Sequence, residues 1–164
     1  MSKTARFVVI INDNVFWMEK QALQFYERLF EQKDAAVQTA EERFSQKELF
    51  RIQNDFSIEI LMVYEGENPK SFLKLDSSRL SNENLEAEKA ICLKDIIYFN
   101  EEDLAVLFKR AEEIASQRKH DLIWVKAFAV DEVLIKTLKA LDYQEFEFQE
   151  NTIEKQIYFK KKLR

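Results

Sequence analysis

The sequence predicts an α/β fold, a central mixed sheet flanked by helices on both sides, in the order β-α-α-β-β-β-α-β-α-β-β. Three observations predict it. Runs of β-branched and aromatic residues alternate along the chain with apolar stripes at three- and four-residue spacing. Three extended runs follow one another in the middle of the chain, as antiparallel neighbours do, whereas a later one is reached through a helical segment, as a parallel crossover is. With 46% hydrophobic residues, among them 14 Phe, 5 Tyr and 2 Trp, 164 residues can bury one core, so residues 1–164 read as a single domain.

The elements follow in order. Phe7 to Ile11 is β-branched and ends at Asn12-Asp13-Asn14, which predicts a buried strand and a turn. Asn14 then caps a helix whose apolar face is Val15, Met18, Ala22, Phe25, Tyr26, Leu29 and Phe30. Asp34 can cap a second helix carrying Val37, Ala40 and Phe44. Ser45-Gln-Lys-Glu48 is a capping-box pattern that divides this helical region in two. Phe56 to Tyr64 alternates, then becomes apolar on both faces, and Glu65-Gly66-Glu67-Asn68-Pro69 turns it into a short strand from Ser71 to Leu75. A polar loop from Asp76 to Asn84 leads to the longest extended run, Ala87 to Phe99. Its alternation breaks at Lys94-Asp95, which predicts a β-bulge or else a break between two strands.

Asn100 caps the next helix, with Glu101, Glu102 and Asp103 in the first turn and Leu104, Leu107, Phe108, Ala111, Ile114 and Ala115 as its buried stripe. Leu122 to Phe128 is a strand, Asp131 to Ala140 a helix, and Glu145 to Phe148 and Ile153 to Lys161 the last two strands.

Composition excludes several functions. One glycine, Gly66, and one proline, Pro69, leave no Gly-rich phosphate loop. A net charge of −5 provides no global field for nucleic acid, and the basic ending Lys160 to Arg164 reads as a solvated strand end. One cysteine, Cys92, and one histidine, His120, build neither a disulfide nor a zinc site, which fits a reducing cytoplasm. No metal site is expected. Nothing approaches the length of a membrane span, and Phe7 to Ile11 is too short for a signal segment.

The element order, together with Phe72-Leu-Lys-Leu75, the long strand into the Asn100 helix and the ending Ala140-Leu-Asp-Tyr143, resembles the GNAT superfamily of acetyl-CoA-dependent N-acetyltransferases over essentially the whole chain. The resemblance implies a GNAT-like (acyl-CoA N-acyltransferase) fold. It implies that Ile97, Tyr98 and Phe99 run along the pantetheine arm of acetyl-CoA, and that Asn100 opens the loop that holds the pyrophosphate. That loop is here Asn100-Glu-Glu-Asp-Leu104, without glycine or a basic lead residue. Three carboxylates near a diphosphate cost on the order of 1–4 kcal/mol per close pair. Where the family often has Asn, Tyr and Gly, this chain has Asp131, Leu138 and Asp142, and leucine cannot protonate a thiolate.

Two functions are therefore carried forward. One is a degenerate family member, without normal acetyl-CoA binding or transfer, that serves as a binding or assembly module. The other is an active acyltransferase with an atypical cofactor loop, acting on a small-molecule or protein amine. No catalytic residue is assigned. Asp95 reads as an exposed ion pair at the bulge rather than a general base, His120 as a solvated turn residue and Cys92 as a small buried hydrophobe. Phe16 and Trp17 are surplus to one core face and suit a ligand groove or a partner surface, and an assembly role predicts a homodimer or a partner on these aromatics or the C-terminal strands.

Overall fold

A computed structural model describes residues 2–78 and 85–163. Residues 79–84 of the expected polar loop, and Arg164 of the basic ending, lie outside them. The elements are β1 (Lys3–Val8), α1 (Asn12–Leu29), α2 (Lys33–Phe44), α3 (Gln46–Gln53), β2 (Ile58–Glu65), β3 (Asn68–Asp76) and β4 (Ala90–Ile97), followed by α4 (Glu101–Gln117), β5 (Leu122–Phe128), α5 (Glu132–Ala140), β6 (Gln144–Phe146) and β7 (Gln156–Lys162). The strands form one seven-stranded sheet in the order β1-β2-β3-β4-β5-β7-β6. All neighbours are antiparallel except β4 and β5, which run parallel because α4 carries the chain across between them.

The second helical region is two helices, as its capping box implies. Ser45 accepts the Glu48 backbone N–H at 3.2 Å and starts α3 there. Gly66, at φ 64°, turns β2 into β3 in the left-handed region that glycine enters at no steric cost. Asn100 caps α4 through the Glu102 N–H at 3.3 Å. The whole expected stripe of α4, Leu104 through Ala115, is buried.

Several details differ from expectation. The first strand is Lys3–Val8, earlier than Phe7 to Ile11, and it is a half-exposed edge strand paired only with β2. Its apolar run continues past the sheet into the turn, leaving Val9 76% and Ile11 53% exposed. Asn14 sits inside the first turn of α1 rather than at its cap, and its side chain reaches back to accept the Ile11 N–H at 3.0 Å. Asp34 likewise lies within α2 and makes no capping bond. Phe56 precedes β2 and is exposed.

Packing is different on the two faces of the sheet. Under α4 and α5 lies one continuous apolar core that includes Leu73, Leu93, Leu107, Phe108, Val125 and Phe159. The opposite face carries two separate cores. One lies under α1–α3 and is built on Tyr26, Phe44, Leu49, Met62 and Phe72. The other joins Cys92, Trp124 and Tyr158 to Phe146 and Phe148.

Candidate functional site

The two parallel strands at the centre of the sheet do not stay together. β4 and β5 pair from Ala90↔Leu122 to Leu93↔Val125 and no further, although both strands continue. Where pairing stops, Asp95 adopts φ 52° and the β3–β4 register shifts between Phe72 and Lys74, the bulge expected at Lys94-Asp95. A bulge bends its strand and sharpens the local twist, so the end of β4 turns away from β5 and leaves a splay between them.

Aromatic rings span that splay without a break. Tyr98, just past β4, meets Phe25 of α1 at 5.2 Å between ring centroids; Phe25 meets Tyr26 at 5.6 Å; and Tyr26 meets Phe128 at the end of β5 at 5.9 Å. Phe30 adds a second contact to Phe128 at 4.9 Å. The Tyr98 hydroxyl also donates to Asp131, which at the same time caps α5 by accepting the Leu134 N–H. Burial raises the Tyr98 phenol, and the Asp131 carboxylate next to it raises it further.

Beyond the splay stands the N-terminus of α4. Its free N–H groups would suit an anion, but Asn100 already takes the Glu102 N–H with its side chain and the Asp103 N–H with its carbonyl. Two of the three carboxylates of the first turn are engaged too. Lys3 of β1 donates to both Glu102 and Asp103, the latter at 2.8 Å, and buried Asp103 also accepts the Ser71 hydroxyl at 2.6 Å. Beside this corner a groove of about 560 Å³ runs between α1 and the β2–β3 turn, with Trp17, Arg28 and Phe99 along it. Arg28 lies over the Phe99 ring at 5.2 Å.

The bulge itself faces a second cavity, of about 200 Å³, which separates the two cores of the α1–α3 face. The sheet supplies its floor, with Lys74 from β3, Lys94 and Asp95 from β4, and Lys126 from β5. Glu42 and Arg43 of α2, Glu48 and Arg51 of α3, and Glu150 from the β6–β7 connection make its walls. Lys74 and Lys94 are directly opposed across the β3–β4 ladder, an arrangement that like charges disfavour. Asp95 offsets it by accepting Arg43 at 2.6 Å on one oxygen and Lys74 at 3.0 Å on the other. Burial pushes the Asp95 carboxyl up, but Lys74 and Arg43 outweigh it and hold the group well below the usual carboxylate range.

The chain is similar along its full length to solved acetyltransferases. The PaiA N-acetyltransferase from Thermoplasma acidophilum, solved in complex with coenzyme A, superposes with a TM-score of 0.73 at 13% identity over 99% of both chains. A putative acetyltransferase of the GNAT family from Desulfovibrio desulfuricans gives 0.69 at 8% identity over 99% of this chain and 100% of its own. A probable acetyltransferase from Staphylococcus epidermidis gives 0.69 at 9% identity over 98% and 99%. This chain has the GNAT fold. No protein-family model matches the sequence, and no curated protein matches it by sequence.

Within the GNAT fold the sequence-derived residues fall as follows. Ile97 is fully buried in the α1–α3 core, Tyr98 and Phe99 are tied into the aromatic chain, and Asn100 is the α4 cap. Asp131, Leu138 and Asp142 stand at the N-cap, core and C-terminal end of α5. Asp142 takes φ 68°, in the left-handed region, just past the end of α5. Two expectations are corrected. Asp95 is a buried rather than an exposed ion pair, because the bulge turns it towards two cations. His120 is 2% exposed and its Nδ1 lies 3.2 Å from the Lys89 carbonyl, because the corner before β5 folds inward over the Lys89–Asp121 connection, and burial lowers its pKa. Of the two surplus aromatics of α1, Phe16 is exposed, and Trp17 packs on Phe72 and lines the groove beside the α4 corner. Cys92 is buried, and burial pushes its thiol up.

Reading the sequence missed Arg43, Lys74 and Lys126. Lys74 did leave a signal, a lone lysine among Phe72, Leu73 and Leu75 on a strand buried on both faces. Arg43 left none, since an arginine in the last turn of a helix is ordinary. Among the described residues no group of three or more His, Cys, Asp or Glu could hold a metal ion, and no helix is long and apolar enough to cross a membrane.

Proposed function

We propose that this chain is a GNAT-fold binding module that has lost normal acetyl-CoA binding and acetyl transfer. The observation that carries this reading is the ring chain Tyr98–Phe25–Tyr26–Phe128, which occupies the splay where the fold would take a pantetheine arm. An arm could enter only by separating these rings and breaking the Tyr98–Asp131 hydrogen bond. The α4 N-terminus supports the same reading. Its first turn carries three carboxylates, two of them paired with Lys3, and Asn100 already holds the Glu102 N–H, so a diphosphate would meet negative charge and an N–H that is taken. The residues of this corner do not fit the cofactor's phosphates, and no step of a transfer reaction is routed through them. Ile97, Tyr98, Phe99 and Asn100, which an active family member would line along acetyl-CoA, are in this reading parts of the core and of a helix cap.

Isothermal titration of the chain with acetyl-CoA tests the proposal. The expected result is no saturable heat up to millimolar cofactor. Binding at micromolar concentration would overturn it and restore the acyltransferase reading, with Ile97 to Asn100 as the cofactor contacts.

A further inference from the structure

We propose that the charged cavity at the β4 bulge is a binding site for a small zwitterion of the amino-acid class. The inference rests on the reading of the chain as a binding module and names the ligand that such a module would take. Three features of the cavity carry it, and the first is composition. Nine of its eleven lining residues are charged, a lining unlike the apolar wall of most small-molecule pockets. Such a cavity is selective for ligands that replace hydration with charge-assisted bonds.

The second feature is charge balance. Five cations and four carboxylates line the cavity, and a fifth carboxylate just outside it, Asp76, holds Lys94 at 2.8 Å. The site is thus close to neutral. A lone anion or cation would unbalance it inside low-dielectric walls, whereas a ligand bringing one charge of each sign leaves the total unchanged. The size agrees, since 200 Å³ is room for roughly seven waters at about 30 Å³ each, the scale of a small amino acid.

The third feature is the placement of groups that a ligand can use. Glu42 is exposed on one wall and, among the described residues, makes no ion pair with another side chain, which suits it to a ligand ammonium. Lys126, on the floor, is paired with Glu150. That carboxylate comes from the connection between β6 and β7 rather than from the sheet, so it can be exchanged for a ligand carboxylate without disturbing the ladder.

Thermal-shift and calorimetric titration of the full chain, without acetyl-CoA, tests the site. The probes are free L-α-amino acids and ω-amino acids, each beside its N-acetyl and amide derivatives, which keep only one of the two charges. At least one free amino acid is expected to bind saturably, with affinity at least tenfold above either derivative, and the α and ω arms report how far apart its charges lie. Glu42→Gln and Lys126→Met, both at the cavity wall or floor and outside the apolar cores, are expected to weaken binding at least tenfold, while Glu150→Gln strengthens it several-fold by freeing Lys126. No saturable binding by any probe, equal binding of the single-charge derivatives, or a Glu150→Gln variant that binds more weakly would overturn the proposal. Heat from acetyl-CoA alone would instead overturn the binding-module reading, and the two failures are separate because no amino-acid titration contains the cofactor.

Discussion

The two faces of the sheet solve different problems with the same strands. Under α4 and α5 the side chains of six strands and two helices meet in one continuous apolar core, with the buried Asp103–Ser71 pair at the start of α4 at its margin. Under α1–α3 the core is interrupted midway by lysines from three successive strands, each held by a carboxylate: Asp95 takes Lys74 together with Arg43 of α2, Asp76 takes Lys94, and Glu150 takes Lys126. The first face behaves as a scaffold, in which each contact adds to stability. The second contains groups whose burial is costly unless every partner is present, and natural proteins place such groups where a ligand or a change of state uses them.

The largest expected effect breaks the charged face. Asp95→Ala leaves Arg43 and Lys74 facing each other without their shared carboxylate and is expected to cost about 4 kcal/mol in urea unfolding. The wild type should show the corresponding pH dependence. Because the folded carboxyl is held below its ordinary value, its contribution is complete above about pH 4, the unfolded value, and is lost as pH falls towards the depressed folded value. The variant should lack this acid loss. If Asp95→Leu is combined with Arg43→Met and Lys74→Met, most of the stability should return, since an apolar replacement of comparable volume needs no partners. A triple variant as unstable as Asp95→Ala would mean that the network is a structural requirement of the bulge rather than a cost the fold carries.

The apolar face comes next. Leu107→Ala, at a fully buried position in the middle of α4, is expected to cost about 3 kcal/mol with no dependence on pH between 4 and 8. A pH-dependent loss would show that the two faces are coupled through the sheet.

What could be read in advance follows the same division. The apolar face was legible because periodicity is a local signal: the α4 stripe, the Leu122–Phe128 strand and the Asn100 cap all stand where spacing puts them. The break at Lys94-Asp95 was legible as a bulge, because two charged residues inside an apolar run interrupt alternation. Its consequence was not, because Asp95 meets Arg43 across 52 residues of chain and nothing local to either residue marks the other. The first strand was displaced because hydrophobicity locates buried strands, while β1 is an edge strand whose register with β2 runs Lys3↔Glu65 through Val8↔Ile60. At the site, the acidic, glycine-free start of α4 was legible in Asn100-Glu-Glu-Asp103. The ring chain that fills the splay was not, because Phe25, Tyr26 and Phe128 each read as ordinary core residues, and the latch between Tyr98 and Asp131 joins two elements 33 residues apart.

That latch gives the smallest expected effect. Burial raises the Asp131 carboxyl above its ordinary value, although Tyr98 and the Leu134 N–H pull it back down. A carboxyl raised in the folded state binds its proton more tightly there than in the unfolded chain. Wild-type stability from this group is therefore fullest in acid and falls as pH rises from about 4 through the raised value. Asp131→Asn keeps an oxygen that can accept from both Tyr98 and Leu134 and carries no charge to bury. The variant should therefore match or exceed the wild type at pH 7 by up to about 1 kcal/mol and show none of that decline. Urea unfolding at pH 5 and pH 7 reads the difference. A loss of 2 kcal/mol or more at pH 7 would mean that the Asp131 charge itself holds the splay closed, and the contrast between a charged face that must be complete and a latch that needs only its hydrogen bonds would fail.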